Sequence, residues 1–448
     1  MKIIRRKLFW IAMAIVFLTG GYAWHEYRAF MSVPTARLTA GNYYPEMPPD
    51  EHHYYIQLPI DHDDPSLGTF IGFYLLSPSF KAGSNVVFKL YDNQQEAVGM
   101  IRDYKDFEIF DQGIGKDISY VLIGNRGVSP TLFPEVFDKN GNADYALALK
   151  LYGSDEQIED IENVRLDMVK RGLLPKDGKI ILHGGSGGGV LIQQYLSKHG
   201  QHVSRVLMES TGAPDIAQAN QLTFTKSFYS SNREAAEIYY KLYQEGDTNT
   251  SLAWLLFKVG LEGQPQLQTR ILKGKDNTWD LPGKFLYAKN WLKLSNNFPL
   301  ISMIFRSPVE LEVKVRMWEL LGYDLVNYNP SSAEEINLLY ESSRIFLSEF
   351  QDAYKTGQIP IYDFNINRSD FNGEVMVWAN SGDQDFGPQI AELITAAYPH
   401  ARLAVFEENA HRVQKKSAYQ LNLIKSFIET GPNSPETQKC FDEDILMK

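Results

Sequence analysis

Lys179-Ile180-Ile181-Leu182-His183-Gly184-Gly185-Ser186-Gly187-Gly188-Gly189-Val190 is the stretch on which the fold turns. Residues 179–183 form a short apolar run of the kind found in strands buried on both faces, and Val190 to Lys198 reads as a helix. Between them one serine stands among glycines. A strand that passes into a helix over so few residues must turn sharply, and the residue at the apex takes a strained backbone that only small neighbours tolerate. Gly184-x-Ser186-x-Gly188 therefore lifts one hydroxyl above a sheet edge, facing the N-terminal N–H groups of the helix, with Gly187 N–H foremost. Two other glycine-rich turns are excluded. G-x-G-x-x-G counted from Gly185 meets Val190 in its last place, and a phosphate loop needs Lys then Ser or Thr where Val190-Leu191 stands.

Outward from this turn, strand and helix alternate. Val86-Val87-Phe88 and Tyr120 to Ile123 are further buried-strand runs, Glu156 to Lys170 has apolar residues at helical spacing, and Val203 to Met208 is again a strand. Such alternation predicts a mostly parallel sheet with helices on both faces. Upstream, residues 53–77 read as two strands joined by the turn at Asp61-His62-Asp63-Asp64-Pro65, a hairpin. The alternation stops at Gly212 and resumes at Val375 to Ala379, followed by a helix from Pro388, a strand from Arg402 and a helix over Lys415 to Thr430. Residues 213–370 are long helical text rich in aromatics, including Phe224, Tyr239, Trp254, Trp279, Trp291 and Trp318, and are expected to form a mainly helical cap inserted between core segments 51–212 and 371–432. Residues 25–50 read as a linker and 433–448 as a polar, frayed tail.

A serine hydroxyl is a poor nucleophile unless an imidazole takes its proton and a carboxylate orients that imidazole. The two later strand ends supply both. The strand ending at Ala379 leads into Asn380-Ser381-Gly382-Asp383-Gln384-Asp385-Phe386-Gly387-Pro388, and the next into Glu407-Glu408-Asn409-Ala410-His411-Arg412. His411 is the base; His400 sits at the start of its strand, on the wrong edge. The acid is Asp383 or Asp385. Asp385, three residues after the glycine turn and just before the helix, is preferred, which makes Ser186, Asp385 and His411 the expected triad.

With these residues in hand, the chain resembles the prolyl-aminopeptidase and tripeptidyl-aminopeptidase family of serine peptidases within the α/β-hydrolase fold. The resemblance is carried by Leu58 to Pro65 with Gly68-Thr69-Phe70, by Gly124-Asn125-Arg126-Gly127-Val128-Ser129, by Glu159 to Glu162 leading into the Gly184–Gly188 turn, and by the acid and histidine loops. It implies an α/β-hydrolase fold and cleavage through an acyl-enzyme, without metal or cofactor. It also implies a second oxyanion donor after the third strand. Where the family has His-Gly-Gly-Pro-Gly this chain has Lys89-Leu90-Tyr91-Asp92-Asn93, so Tyr91 N–H is expected to join Gly187 N–H. The family's Asp before x-Arg-Gly is Gly124 here, and Gly187 stands where a bulky aromatic is common. An aminopeptidase must hold a substrate ammonium. Glu209, which ends the strand through Met208, is the expected carboxylate, and Glu234, Glu237, Glu310, Glu312 and Glu319 of the cap are further candidates, most of them expected to be solvated helix-face charges.

Composition sets the outer limits. A net charge of −11 with no basic stripe excludes a nucleic-acid partner, and 44% hydrophobic with 22% charged residues excludes wholesale disorder. The single cysteine, Cys440, rules out an internal disulfide. Lys2, Arg5, Arg6 and Lys7 precede an apolar run from Leu8 to Leu18 and small residues at Gly21 and Ala23, the pattern of a secretory signal peptide or an uncleaved membrane anchor over residues 1–24. The expected protein is an exported hydrolase of short peptides. An esterase with the same triad and a non-catalytic binder on the same fold are the alternatives.

Overall fold

The computed structural model describes residues 50–446 except 96–97, 99–100, 102, 128–132, 278–279, 296–309 and 413–414, together with scattered positions before residue 50. The leader expected over residues 1–24 lies largely outside the described residues. Among the described residues, no helix is long and apolar enough to cross a membrane.

Eight strands form one sheet in the order β1-β2-β4-β3-β5-β6-β7-β8. β1 (His53–Pro59) and β2 (Thr69–Leu76) are the predicted hairpin, paired antiparallel from His53 opposite Leu75 to Pro59 opposite Thr69. Its turn is set by Asp64, whose carboxylate accepts from Ser66 N–H, and by Gly68 at φ 91°. β2 runs antiparallel to β4 (Tyr120–Ile123). From β4 onward, through β3 (Val87–Leu90), β5 (Ile180–Gly185), β6 (Val203–Glu209), β7 (Glu374–Asn380) and β8 (Ala401–Phe406), all pairings are parallel. The chain steps from β3 out to β4 and returns to β5, so strand order reverses there and a crevice opens beyond the carboxyl ends of β3 and β5. This is the α/β-hydrolase fold.

The helices that matter for the site are α1 (Ser154–Lys170), α2 (Gly187–His199), α3 (Thr250–Leu261), α4 (Leu311–Leu325), α5 (Pro388–Ala397), α6 (Ala418–Thr430) and α7 (Pro435–Leu446). Successive strand residues feed opposite cores. Phe88, Leu182 and Val206 join α1 and α2 on one face of the sheet, while Val87, Ile181 and Leu207 meet α6 on the other. That two-sided burial explains the unbroken apolar text of the strands.

Three sequence readings need adjustment. The helix after the glycine turn begins at Gly187, ahead of the expected Val190, because the three glycines are already helical. The linker is anchored: Tyr44 and Met47 are buried, and the Tyr44 ring stacks on Phe73 at 4.8 Å. The tail is not frayed, because α7 presents Cys440 and Phe441 to the core and Arg402 lies over the Phe441 ring. Cys440 and Phe441 are adjacent in otherwise polar text, too sparse a signal to mark a packed helix.

Among the described residues, the segment between β6 and β7 holds helices and no strand. Its first part has a core of its own around Tyr239, Leu252, Leu256 and Ile271. α4 instead packs on the body, with Trp318 and Val315 against Leu58 and Phe70 of the hairpin and Leu321 against the α1–α2 core.

Arg126 holds the hairpin to α1. Its buried guanidinium donates to both Asp160 oxygens at 2.7 and 2.8 Å, to Glu156, and to the carbonyls of Pro59, Ile60 and Leu151. Removing it strands buried carboxylates, and breaking such a pair costs about 3–5 kcal/mol. Arg126→Ala is expected to lower the unfolding free energy by that amount, measured by urea denaturation.

Candidate active site

Ser186 directly follows β5, as the N-cap of α2, with φ 54° and ψ −130°, a region a residue with a Cβ seldom enters. The surroundings impose it. Ser186 N–H donates to the carbonyls of Glu209 and Ser210 at 3.0 Å, and its own carbonyl accepts from Gly189 N–H at 3.0 Å and from Thr211 Oγ1 at 2.7 Å. Two glycines are required by close approach. A Cβ at Gly188 would lie 2.7 Å from Leu90 O, and one at Gly187 would collide with the side chains of Asp92 and Gln94. The loop after β3 is thus pressed onto the first turn of α2.

Asp383 and His411 follow β7 and β8. His411 Nδ1 lies 2.9 Å from Asp383 Oδ2 and 3.1 Å from Oδ1, and both side chains are buried. The preference for Asp385 is therefore corrected: Asp383 is the acid that meets the imidazole. The physical reason is local. Asp383 Oδ1 accepts from the N–H groups of Asp385 and Phe386, at 2.8 and 3.3 Å, and this turn draws its carboxylate inward. Gly382, the preceding residue, is where the two loops touch, since a Cβ there would lie 2.9 Å from Asn409 Cα. That glycine next to Asp383 was the available signal.

Asp383 sits within reach of His411 because of further ties. Asn380 Nδ2 donates to Ala410 O at 2.9 Å, Lys226 Nζ donates to Asp383 O at 2.9 Å, and His411 N–H donates to Leu261 O, at the end of α3, at 2.9 Å. Burial works against a charged imidazole, but the Asp383 carboxylate outweighs it and holds the His411 pKa above its ordinary 6.5. His411 Nε2 is buried and has no hydrogen-bond partner among the described residues.

Of the two expected oxyanion donors, Gly187 opens α2, where an N–H has no intrahelical acceptor. Tyr91 directly follows β3, and its carbonyl is fixed by Asn125 Nδ2 at 2.9 Å and Gln157 Nε2 at 3.1 Å. Glu209 is corrected. It is buried, with one oxygen 2.7 Å from His183 Nε2 and the other accepting from Lys416 Nζ at 2.8 Å, so neither is left for a substrate ammonium. Burial opposes its charge, yet Lys416 and His183 hold its carboxyl well below the usual range. On the same face, burial lowers the Lys89 ammonium to about 7 and His183 to about 4.

Residues that sequence reasoning missed lie in the loop after β3 and in the cap. Gln95 Oε1 accepts from Gly188 N–H at 3.1 Å while its amide donates to Gly185 O at 3.2 Å. Arg316 of α4 reaches the elbow, donating to Asp92 at 2.9 Å, to Glu319 at 2.8 Å and to Gly187 O at 3.4 Å. Burial raises both the Asp92 and the Glu319 carboxyl, with Arg316 opposing. Nothing in local text links residues 92 and 316. Among the described residues, two groups bring metal-ligating atoms within 4.8 Å of one another, Glu162-His199-His202 and Asp61-Asp63-Glu156. Ion pairs already engage Glu162 through Arg165, Asp61 through Lys150 and Glu156 through Arg126.

The sequence matches no protein-family model and no curated protein. Solved structures do align along most of the chain. An alpha/beta hydrolase enzyme from a Medee basin deep-sea metagenome library is 12% identical, with 81% of this chain and 93% of that one covered and a TM-score of 0.37. A probable hydrolytic enzyme from Pseudomonas aeruginosa is 10% identical over 90% and 94% of the two chains, with a TM-score of 0.39. An alpha/beta fold family hydrolase from Bacillus anthracis is 13% identical over 84% and 98%, with a TM-score of 0.37. Superpositions this loose carry no argument about activity; strand order identifies the fold.

If Asp383 orients the base, Asp383→Asn should slow fluorophosphonate labelling of Ser186 by about three to four orders of magnitude, the loss typical when a triad carboxylate goes. Asp385→Asn should keep at least about a hundredfold more than that variant. The base must be neutral to accept a proton. Wild-type labelling is therefore expected to fall as pH drops, with a midpoint above 6.5, the ordinary imidazole value. A pH–rate profile measures it.

Proposed function

We propose that the protein is an exported serine hydrolase that works through an acyl-enzyme and releases N-terminal residues from short peptides. The observation that carries the hydrolase reading is the buried imidazole of His411, with Nδ1 on Asp383 and Nε2 unpartnered, on the same sheet edge as the strained Ser186. An imidazole so held has one basic nitrogen, and it needs a proton donor to be satisfied.

In this reading Ser186 Oγ attacks a substrate carbonyl as His411 Nε2 takes its proton. The N–H groups of Gly187 and Tyr91 receive the developing oxyanion. Collapse expels the leaving amine, which takes the proton back from His411, and water repeats the sequence on the acyl-enzyme. Asp383, bonded to Nδ1, orients the imidazole and stabilises the imidazolium. The peptide reading is supported by the entry-hairpin, Arg126 and elbow segments that resemble the aminopeptidase family, and export by the basic and apolar text of residues 2–23.

The test is a panel of aminoacyl-p-nitroanilides and p-nitrophenyl esters on wild type and Ser186→Ala. Turnover of anilides with a free N-terminus, lost in Ser186→Ala, is expected. Turnover confined to esters would reject the peptidase and leave an esterase. Wild-type protein that neither turns over nor labels with a fluorophosphonate would leave a binding protein on a hydrolase fold.

A further inference from the structure

The sheet stops tying together the two segments that carry the expected oxyanion donors just before they reach Ser186. β3 and β5 pair as far as Leu90 opposite Gly184, and among the described residues no backbone hydrogen bond joins residues 91–95 to residues 185–189. Rungs of a parallel ladder are evenly spaced, and counted from Ile181 N–H on Val86 O the next one would run from Asp92 N–H to Gly185 O. A side chain stands in that gap. Asp92 N–H donates to Gln95 Oε1 at 3.4 Å, and Gln95 Nε2 donates to Gly185 O at 3.2 Å.

The same amide reaches the helix. Its Oε1 also accepts from Gly188 N–H at 3.1 Å, so one side chain holds the chain on both sides of Ser186 and Gly187. Gln95 is fixed in its own loop by its N–H, which donates to Asp92 O at 2.9 Å. The first N–H groups of a helix have no acceptor within it and must find one elsewhere. Gly189 and Val190 N–H return to Ser186 O at 3.0 and 3.4 Å, and Gly188 N–H goes to Gln95. Gly187 N–H has no acceptor among the described residues. The other link between loop and turn comes from the cap, where Arg316 meets Asp92 and Gly187 O.

We propose that Gln95 is a positioning residue of the oxyanion site. Its amide takes the place of a backbone rung, fastens the Tyr91 loop to the Ser186 turn and so sets the spacing of Tyr91 N–H and Gly187 N–H. By engaging Gly188 N–H it also leaves Gly187 N–H as the open donor of that turn. This rests on the hydrolase reading, whichever acyl substrate the enzyme takes.

Fluorophosphonate labelling reads the site without a chosen substrate, because the phosphoryl oxygen must be received as Ser186 attacks. Gln95→Leu removes both side-chain bonds and should lower the maximal labelling rate about ten- to hundredfold, the cost of displacing a group by a fraction of an ångström to an ångström. Deleting a donor outright costs about a hundred- to a thousandfold, so the loss should stay below that. The probe's half-saturating concentration and the pH midpoint of labelling should not move, since neither the probe's binding surface nor the His411–Asp383 pair is touched. Gln95→Met gives the same reading should Gln95→Leu not fold. A wild-type rate in these variants would overturn the proposal, as would a loss that comes with weaker probe binding or a displaced pH midpoint. Wild-type protein that never labels overturns the hydrolase reading itself, and that failure shows before any Gln95 variant is made.

Discussion

The backbone of Ser186 is the constraint on which the rest of the site depends. A residue with a Cβ held at φ 54° costs on the order of 1–3 kcal/mol and persists only where its neighbours over-determine it. Here they do so from both sides. Carbonyls of β6 and the residue after it fix the amide, Thr211 and α2 fix the carbonyl, and the loop after β3 closes on Gly187 and Gly188. Ser210, which supplies one of those carbonyls, is itself at φ 43°. Two strained serines on adjacent strand ends brace one another.

Around this point the protein buries several charged side chains. Arg316 bridges Asp92 and Glu319 on the cap side, and Lys416 and His183 bracket Glu209 beneath the sheet edge. Buried ion pairs add little net stability, because desolvation consumes most of the attraction. Their geometric effect is clearer. Arg316 ties α4 to the loop that meets Gly187, and Glu209 joins the elbow, through its carbonyl to Ser186 N–H, to the histidine loop, through Lys416. Charges that must find partners leave few ways to assemble the loops.

The cap shares in the site itself. The end of α3 accepts the His411 N–H, and Gly263 lets it settle on the histidine loop, since a Cβ there would stand 2.7 Å from Ala410 N. Lys226 at the start of the cap segment is bonded to the acid loop. The His411 loop, the Asp383 loop and the cap are therefore one packed unit, in which a shift of α3 would move the imidazole.

The sequence by itself determined what is local or periodic. Buried strands show as unbroken apolar runs, the sharp turn as a serine among glycines after a strand, and the loop of His411 as the one after the last strand, because these follow from backbone sterics and from which side of a sheet meets water. It did not decide between Asp383 and Asp385. Two carboxylates in one short loop differ only in where the turn aims them, and that depends on Gly382 touching Asn409 from another strand end. Nor did it show that Glu209 is occupied, that Tyr44 and Cys440 are buried, or that Arg316 reaches Asp92. Those are contacts between residues far apart in the chain, and only the tertiary structure, by setting which groups lose their water together, decides them.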